Sequence, residues 1–243
     1  MITIGVVVPT LSNLAGGYLA LQSIKSAYSI IWMPIILDNW NEHRSVAESW
    51  NLGIEIADHY QCDYALVIND DVLFSPWTMS GLVNALANPP DDNVIMVTGQ
   101  NLRGNIHNPE DIFNIEIPSY REHSYGNNPD FACFMVKPDI IDIIGKFDEN
   151  FKLAYFEDND YHRRIQLLGY EAISTSWAPY FHFGSQTQNK FLHEVGHGVV
   201  SADQFNQNRQ YYMDKWGGDL GYETYQNPYN DESMTAAQWK LFL

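Results

Sequence analysis

The chain has 243 residues, 45% of them hydrophobic, and sets 30 Asp and Glu against 13 Lys and Arg for a formal net charge of -17. That length accommodates a sizeable core, and no Pro/Gly/Ser-rich linker, internal repeat or low-complexity tract divides it. So acidic a balance disfavours nucleic acid and anionic membranes, whose binding draws on Lys and Arg, but leaves room for a phosphate-bearing small molecule neutralised by a bound cation.

The opening residues Met1 to Val8 lack a basic region before their apolar run and reach Pro9 too soon for a signal peptide. No apolar run approaches the roughly 20 residues of a membrane span. The expectation is a soluble, cytoplasmic protein. Two cysteines, Cys62 and Cys133, make no disulfide framework and predict reduced thiols.

In chain order, Ile4 to Val8, Pro34 to Leu37, Tyr64 to Ile68 and Val94 to Val97 are continuously apolar. Such runs predict strands covered on both faces, as in a parallel sheet with crossover helices. Between them, Leu19, Ser23, Ala27 and Ile30 share one helical face, and Val46, Trp50, Ile54 and Ala57 share another. The stretch from Gly99 to Asp130 is irregular and predicts substrate or lid loops. A buried strand is expected at Phe131 to Val136, then a helix from Pro138 to Ile144 with Gly145 as C-cap. A further helix starts at Glu157 and Asp158, places Tyr161, Ile165 and Leu168 on one face, and is closed by Gly169. Ala172 to Thr175 is expected to be the final strand, leading into Pro179 to Gly184.

Polar residues follow the first four strands: Pro9 and Thr10, Asp38 and Asn39, Asn69 to Asp71, and Thr98. In a parallel sheet these ends share one edge, where open α/β sheets bind ligands. Adjacent carboxylates there suit a hard divalent cation carrying phosphates.

Several motifs stand in an order that resembles a known family. They are Val6-Val7-Val8-Pro9-Thr10, Asp38, Ser45 to Gly53, Asn69-Asp70-Asp71, Gly145 to Glu149, Phe156 to Arg164 and His182, with a weaker echo at Lys215 to Gly218. The chain resembles nucleotide-sugar glycosyltransferases of the GT-A fold, specifically glycosyltransferase family 2 in its rhamnosyltransferase-like branch, and is similar in size to compact bacterial or phage-encoded transferases. The resemblance implies an α/β fold with a Rossmann-like, mixed but mostly parallel central sheet flanked by helices. It implies a GT-A domain over residues 1–200, with a nucleotide-binding half at 1–98 and an acceptor half at 99–200, and a C-terminal helical or irregular extension at 201–243.

By the same resemblance, Asp71 is the carboxylate ligand of Mn²⁺ or Mg²⁺, Asp70 shares the ion or holds the ribose hydroxyls, and His182 completes the coordination. Asn69 stands where the family's Asp-x-Asp motif has an acid, so only two carboxylates are available. Asp38 is similar to the family's base-recognition carboxylate, with Pro9, Thr10, Asn39 and Trp40 in the same pocket and Arg44 reaching the base or the diphosphate. Asp158 is similar to the general base of an inverting transferase, while Asp130 contacts donor-sugar hydroxyls. The implied donor is a UDP-sugar, most simply a UDP-hexose, and the acceptor hydroxyl is open. Trp50 and Asn51 read as a core residue and a loop brace.

Two other readings compete. His193-Glu194-Val195-Gly196-His197 fits HExxH, the pattern in which two histidines one helical turn apart bind Zn²⁺ beside a catalytic glutamate. Gly196 and Gly198 weaken a helix there, and no third ligand stands at a familiar offset. A noncatalytic nucleotide-sugar or carbohydrate-binding module would share everything except the need for Asp158.

Overall fold

A computed structural model describes residues 1–11, 13–25, 29–39, 42–116, 124–184 and 202–234. Its strands are β1 (Ile2–Thr10), β2 (Ile30–Asp38), β3 (Tyr64–Ile68), β4 (Val72–Phe74), β5 (Val94–Asn101), β6 (Tyr125–Gly126), β7 (Cys133–Val136) and β8 (Glu171–His182). They form one sheet in the order β2-β1-β3-β7-β5-β8-β4, with β6 paired to β8. Strands β1, β2, β3, β5 and β8 run one way. β7 is inserted antiparallel between β3 and β5, and β4 and β6 run antiparallel against β8.

The helices are α1 (Leu14–Ser23), α2 (Val46–His59), α3 (Thr78–Ala87), α4 (Ile140–Ile144), α5 (Glu157–Leu167) and α6 (Ala202–Trp216). None of the described helices is long and apolar enough to cross a membrane.

Successive strand residues point to opposite faces, and both faces are covered. Val6, Val8, Leu66 and Ile68 pack with Ala20 of α1 and with Met79 and Leu82 of α3. Val7 and Val67 pack with Trp50 and Ile54 of α2, Phe134, Ile144 of α4 and Tyr161 of α5. Burial on both sides is why these strands read as unbroken apolar runs. α2 lies hard against β1: a Cβ on Gly53 would stand 2.1 Å from Val7 Cγ1, so only glycine fits there. Its start is fixed by a capping box, with Glu48 N–H donating to Ser45 Oγ at 3.1 Å and Ser45 N–H to Glu48 Oε2 at 2.6 Å.

The structure corrects the sequence reading in three places. α1 ends at Ser23 and leaves Leu19 exposed, while Ile30 opens β2 opposite Ile2, because a β-branched pair at Ile30 and Ile31 extends the parallel ladder with β1. β5 runs past Thr98 to Asn101, so Asn101 and not Thr98 stands at the edge. β8 continues through Pro179 to His182, where a shift in register with β5 accommodates the proline.

α6 docks on the chain around a buried charge cluster. Lys215 Nζ lies 2.7 Å from both Asp148 Oδ2 and Asp160 Oδ1. Trp216 Nε1 donates to Asp160 Oδ1 at 2.9 Å, Arg164 Nε to Asp160 Oδ2 at 2.9 Å, and the Tyr211 hydroxyl to Asp148 Oδ2 at 2.8 Å. Burial works against the Asp148 carboxylate, but Lys215 and the donated hydrogen bonds outweigh it and leave its pKa below the usual value. Lys215→Met would leave Asp160 to Arg164 and strip Asp148 of its cation, and removing one member of a buried charge set costs about 3–5 kcal/mol. Urea unfolding should show that loss; a change under about 1 kcal/mol would mean that the cluster is hydrated.

Candidate functional site

A cavity of about 370 Å³ opens at the carboxyl ends of β1, β2 and β3. Because β7 runs the other way, its amino end lies on the same edge and brings Asp130, Phe131 and Ala132 to the wall. Leu153, Ala154 and Tyr155, then Glu157 and Asp158 at the start of α5, and His182 at the end of β8 complete it. The volume falls in the range of small-molecule sites.

The floor is set by the turn after β3. Thr10 Oγ1 donates to Asp70 Oδ2 at 2.8 Å and accepts the Asn13 N–H at 3.0 Å. Asn13 caps α1 and also donates from Nδ2 to the Asp70 carbonyl at 3.2 Å. The Asp70 side chain is thus aimed by the ends of two neighbouring strands. The chain then turns back into β4, whose pairing with β8 places Val72 opposite His182. Phe183 N–H donates to the Asp71 carbonyl at 2.9 Å, and His182 Nε2 stands 3.0 Å from Asp71 Oδ1. Partial burial disfavours a charged His182, but the hydrogen bond and charge of Asp71, with Asp130 beyond, outweigh it and raise its pKa.

Asp130 is braced from three sides. It accepts from Asn101 Nδ2 at 3.2 Å and from Ala132 N–H at 3.0 Å, and its own N–H donates to Thr98 Oγ1 at 3.2 Å. Asn101 Oδ1 accepts the His182 N–H at 3.3 Å, so a single amide links Asp130 to the histidine.

On the β2 side, Asn39 donates from its backbone to the Thr10 carbonyl at 2.9 Å and from Nδ2 to Ser49 Oγ at 2.8 Å. Arg44 reaches Asn39 Oδ1 at 3.5 Å and Glu42 at 3.5 Å.

At the start of α5, Asp158 Oδ1 accepts the Asn159 N–H at 2.8 Å. Burial raises its pKa, the Asn159 amide offsets part of that, and the charge of Asp130 adds to it. Glu157 is 5% exposed, and its Oε2 has no hydrogen-bond partner. Burial, with the Asp158 charge second, pushes its pKa well above the ordinary value. Burial thus disfavours ionisation of two adjacent carboxyls at a helix N-terminus, a cost that the helix dipole partly relieves.

Pro9, Thr10, Asn39, Arg44, Asp70, Asp71, Asp158 and His182 all line the one cavity. Asp38 is exposed at the end of β2, opposite Thr10 in register, and the lining begins with its neighbour Asn39. Trp40 and the His193 to His197 motif lie outside the described residues. Sequence reasoning missed His43 and the loop at Leu153 to Tyr155, and it placed Trp50 in the core alone. Trp50 does pack on Phe131, Phe134 and Phe147, yet it also lines the cavity, and its indole N–H is buried without a partner. His43 has a φ of 52°, a turn conformation that its sequence does not announce.

No protein-family model and no curated protein sequence matches the chain. Solved structures do. The catalytic domain of Drosophila β1,4-galactosyltransferase 7 in complex with xylobiose matches with a TM-score of 0.56 at 13% identity, over 86% of this chain and 80% of that one. A mutant of it in complex with manganese, UDP-Gal and xylobiose matches at 0.54 and 12% identity over the same shares. GalNAc-T7 with UDP, GalNAc and Mn²⁺ matches at 0.62 and 8% identity, over all of this chain and 54% of that one. At such identities the likeness is one of fold, and the chain has the GT-A fold: a central, mostly parallel sheet flanked by helices.

Burial of the Glu157 carboxyl, with Oε2 unpartnered, makes stability depend on pH. A carboxyl whose folded pKa is raised supports the fold below its unfolded pKa and loses that support as pH rises through the folded one. Glu157→Gln removes the titration and leaves a neutral amide. Its melting temperature should exceed the wild type's by more at pH 8 than at pH 5, by about 2–4 °C for each kcal/mol relieved. An equal difference at both pH values, measured by calorimetric melting, would mean that the carboxyl does not titrate differently in the fold.

Proposed function

We propose that the chain is a divalent-metal-dependent, inverting glycosyltransferase that moves a sugar from a nucleotide diphosphate donor, a UDP-hexose, to an acceptor hydroxyl. The observation that carries this reading is the Asp71–His182 pair beside Asp70, in one strand-end cavity with Asp158 on a GT-A fold. The ordered motifs favour the family 2, rhamnosyltransferase-like branch, with residues 1–98 serving the donor and 99–200 the acceptor. The ligands in the neighbours' structures, UDP-Gal with manganese and UDP with Mn²⁺, support the donor and the metal.

Among the described residues no group of three or more His, Cys, Asp or Glu could hold a metal unaided. A two-ligand set fits a cation that takes its remaining ligands from phosphate oxygens and water. Asp71 Oδ1 and His182 Nε2 face each other at 3.0 Å in the same cavity as Asp70, a carboxylate and an imidazole of the kinds that Mn²⁺ accepts. Asp71 and His182 would hold Mn²⁺ or Mg²⁺, with Asp70 sharing it or taking the ribose. When bound, the ion would neutralise the diphosphate leaving group.

The remaining roles belong to the chain. Pro9, Thr10 and Asn39 line the nucleoside end, with Asp38 exposed beside them as the base-recognition carboxylate, and Arg44 brings a cation toward base or diphosphate. The Thr10 hydroxyl keeps Asp70 from swinging away. Asp158 takes the proton of the attacking hydroxyl as the anomeric carbon passes through an oxocarbenium-like state. Its raised pKa makes it a stronger base than a surface aspartate. A noncatalytic binding module is the second reading, favoured only by the aromatic lining; it requires nothing of Asp158.

Calorimetry across UDP-, GDP-, dTDP- and CDP-sugars, with and without Mn²⁺, should find tightest binding for the UDP-sugar with metal. Metal-independent binding, or none to any donor, sinks the reading. Asp158→Asn should keep donor affinity within about twofold and lose about 10²–10⁴ in transfer rate, the usual weight of a general base. Retained transfer would remove Asp158 from that role. In the wild type the rate should fall as pH drops through the Asp158 pKa, with a midpoint above the ordinary carboxylate value because burial raises it. Product NMR should show an inverted anomeric centre.

A further inference from the structure

The segment between Phe151 and Glu157 walls the cavity with Leu153, Ala154 and Tyr155 and delivers the chain to Asp158. Leu153, Tyr155 and Phe156 have φ values of 62°, 84° and 76°. Residues with a Cβ resist this left-handed conformation, and a run of them persists only where surrounding contacts over-determine it.

Those contacts come from two sides. From the donor side, Val46 N–H at the start of α2 donates to the Leu153 carbonyl at 2.8 Å. From the opposite side comes α6, none of whose described residues lines the cavity. Asn208, 2% exposed, donates from Nδ2 to the carbonyls of Lys152 at 2.8 Å, Ala154 at 3.0 Å and Tyr155 at 3.3 Å. Its Oδ1 accepts the Lys152 N–H at 3.2 Å and is steadied by Gln204 Nε2 at 3.0 Å. Clustered carbonyls beside one N–H demand a neutral group with both donors and an acceptor, which a carboxamide provides. On the same helix face, the Phe205 ring packs edge-on against Tyr155 at 5.3 Å and tilted on Phe156 at 5.2 Å, and Tyr212 lies 5.7 Å from Phe156. Positions 205, 208 and 212 form one stripe at helical spacing.

We propose that Asn208 is a positioning residue: with Phe205 it holds the left-handed turn at 153–156 that sets Asp158 and the Tyr155 wall, so that α6 governs turnover without touching the donor. This rests on the glycosyltransferase reading. The donor contacts proposed above sit on β1, β2, the Arg44 loop, the β3–β4 turn and the end of β8, none of which Asn208 touches, so loosening the turn separates turnover from donor affinity.

UDP release from UDP-glucose in Mn²⁺ without acceptor, which is transfer to water, reports turnover. Calorimetry with UDP and Mn²⁺ reports donor affinity. Asn208→Ala should lower the release rate at least tenfold with the UDP dissociation constant within twofold. Asn208→Asp keeps the acceptor for Lys152 N–H but turns an oxygen on three carbonyls, and should lose more. Phe205 is 39% exposed, so Phe205→Ala keeps the fold and should lower the rate severalfold with the same unchanged affinity. Arg209→Ala, from an exposed ion pair with Asp219, should change neither. Hydrogen exchange of amides 153–159 should quicken in Asn208→Ala while β1 keeps its protection. Parallel losses of rate and affinity, or faster exchange with an unchanged rate, would overturn the positioning role. A wild type that binds no UDP with Mn²⁺ overturns the glycosyltransferase reading instead, and the exchange result still decides whether Asn208 holds the turn.

Discussion

Crowding of like charge is the constraint around which this site is arranged. Asp70, Asp71, Asp130, Glu157 and Asp158 all line one cavity, and Arg44 is the only Arg or Lys among the described residues that do. Carboxylates so gathered repel each other more strongly as water is excluded, so each needs a neutral donor, a cation or a proton. The protein uses all three. The Thr10 hydroxyl serves Asp70, the Asn101 amide and the Ala132 N–H serve Asp130, and the Asn159 N–H serves Asp158. His182 faces Asp71, and Glu157 is pushed toward its protonated form. Under the proposed function, a divalent ion entering such a cavity would relieve the repulsion, and an anionic diphosphate would be tolerable in its company.

The fold explains how residues far apart in sequence meet this demand. Asp71 and His182 are joined by strand register alone: β4 lies antiparallel to β8, Val72 pairs with His182, and the next backbone bond runs from Phe183 to Asp71. β7 performs the corresponding service for Asp130. Had it run parallel to β3 and β5, its amino end would lie at the opposite edge of the sheet.

This separates what the sequence discloses from what it withholds. The ends of β1 and β3 were legible because these strands are buried on both faces and stop abruptly at polar residues, so Thr10, Asp70 and Asp71 could be placed on one edge. The Trp50 stripe of α2 was legible because Trp50, Ile54 and Ala57 repeat at helical spacing. Ile30 was misplaced because helical spacing in Leu19, Ser23, Ala27 and Ile30, of which Ala27 lies outside the described residues, is a local pattern, whereas the ladder joining Ile30 to Ile2 is a long-range one. His43 and the 153–156 turn were invisible for a related reason. Positive φ at Leu153, Tyr155 and Phe156 is imposed by contacts elsewhere, and none of these three residues favours it intrinsically, while at His43 a histidine tolerates it without announcing it.

The motif residues also divide by what they do. Asn51 was read as a brace, and it exchanges hydrogen bonds with the Phe147 backbone at 2.9 and 2.8 Å while reaching Glu149 at 2.9 Å. Asp148 and Lys215 belong to motifs 67 residues apart, yet they share a buried hydrogen bond. The part of the pattern that lies outside the cavity therefore builds a frame: Asp148 and Asp160 anchor the carboxyl end of α6, which leaves Asn208 near its middle aligned on the turn before α5. Asp160 stands two residues after Asp158 on α5, so the network that fixes α6 also fixes the helix carrying the proposed base. A change at Lys215 would accordingly reach the cavity through α5 and through the 153–156 turn together, which is why the scaffold and the chemistry of this chain occupy the same short segment.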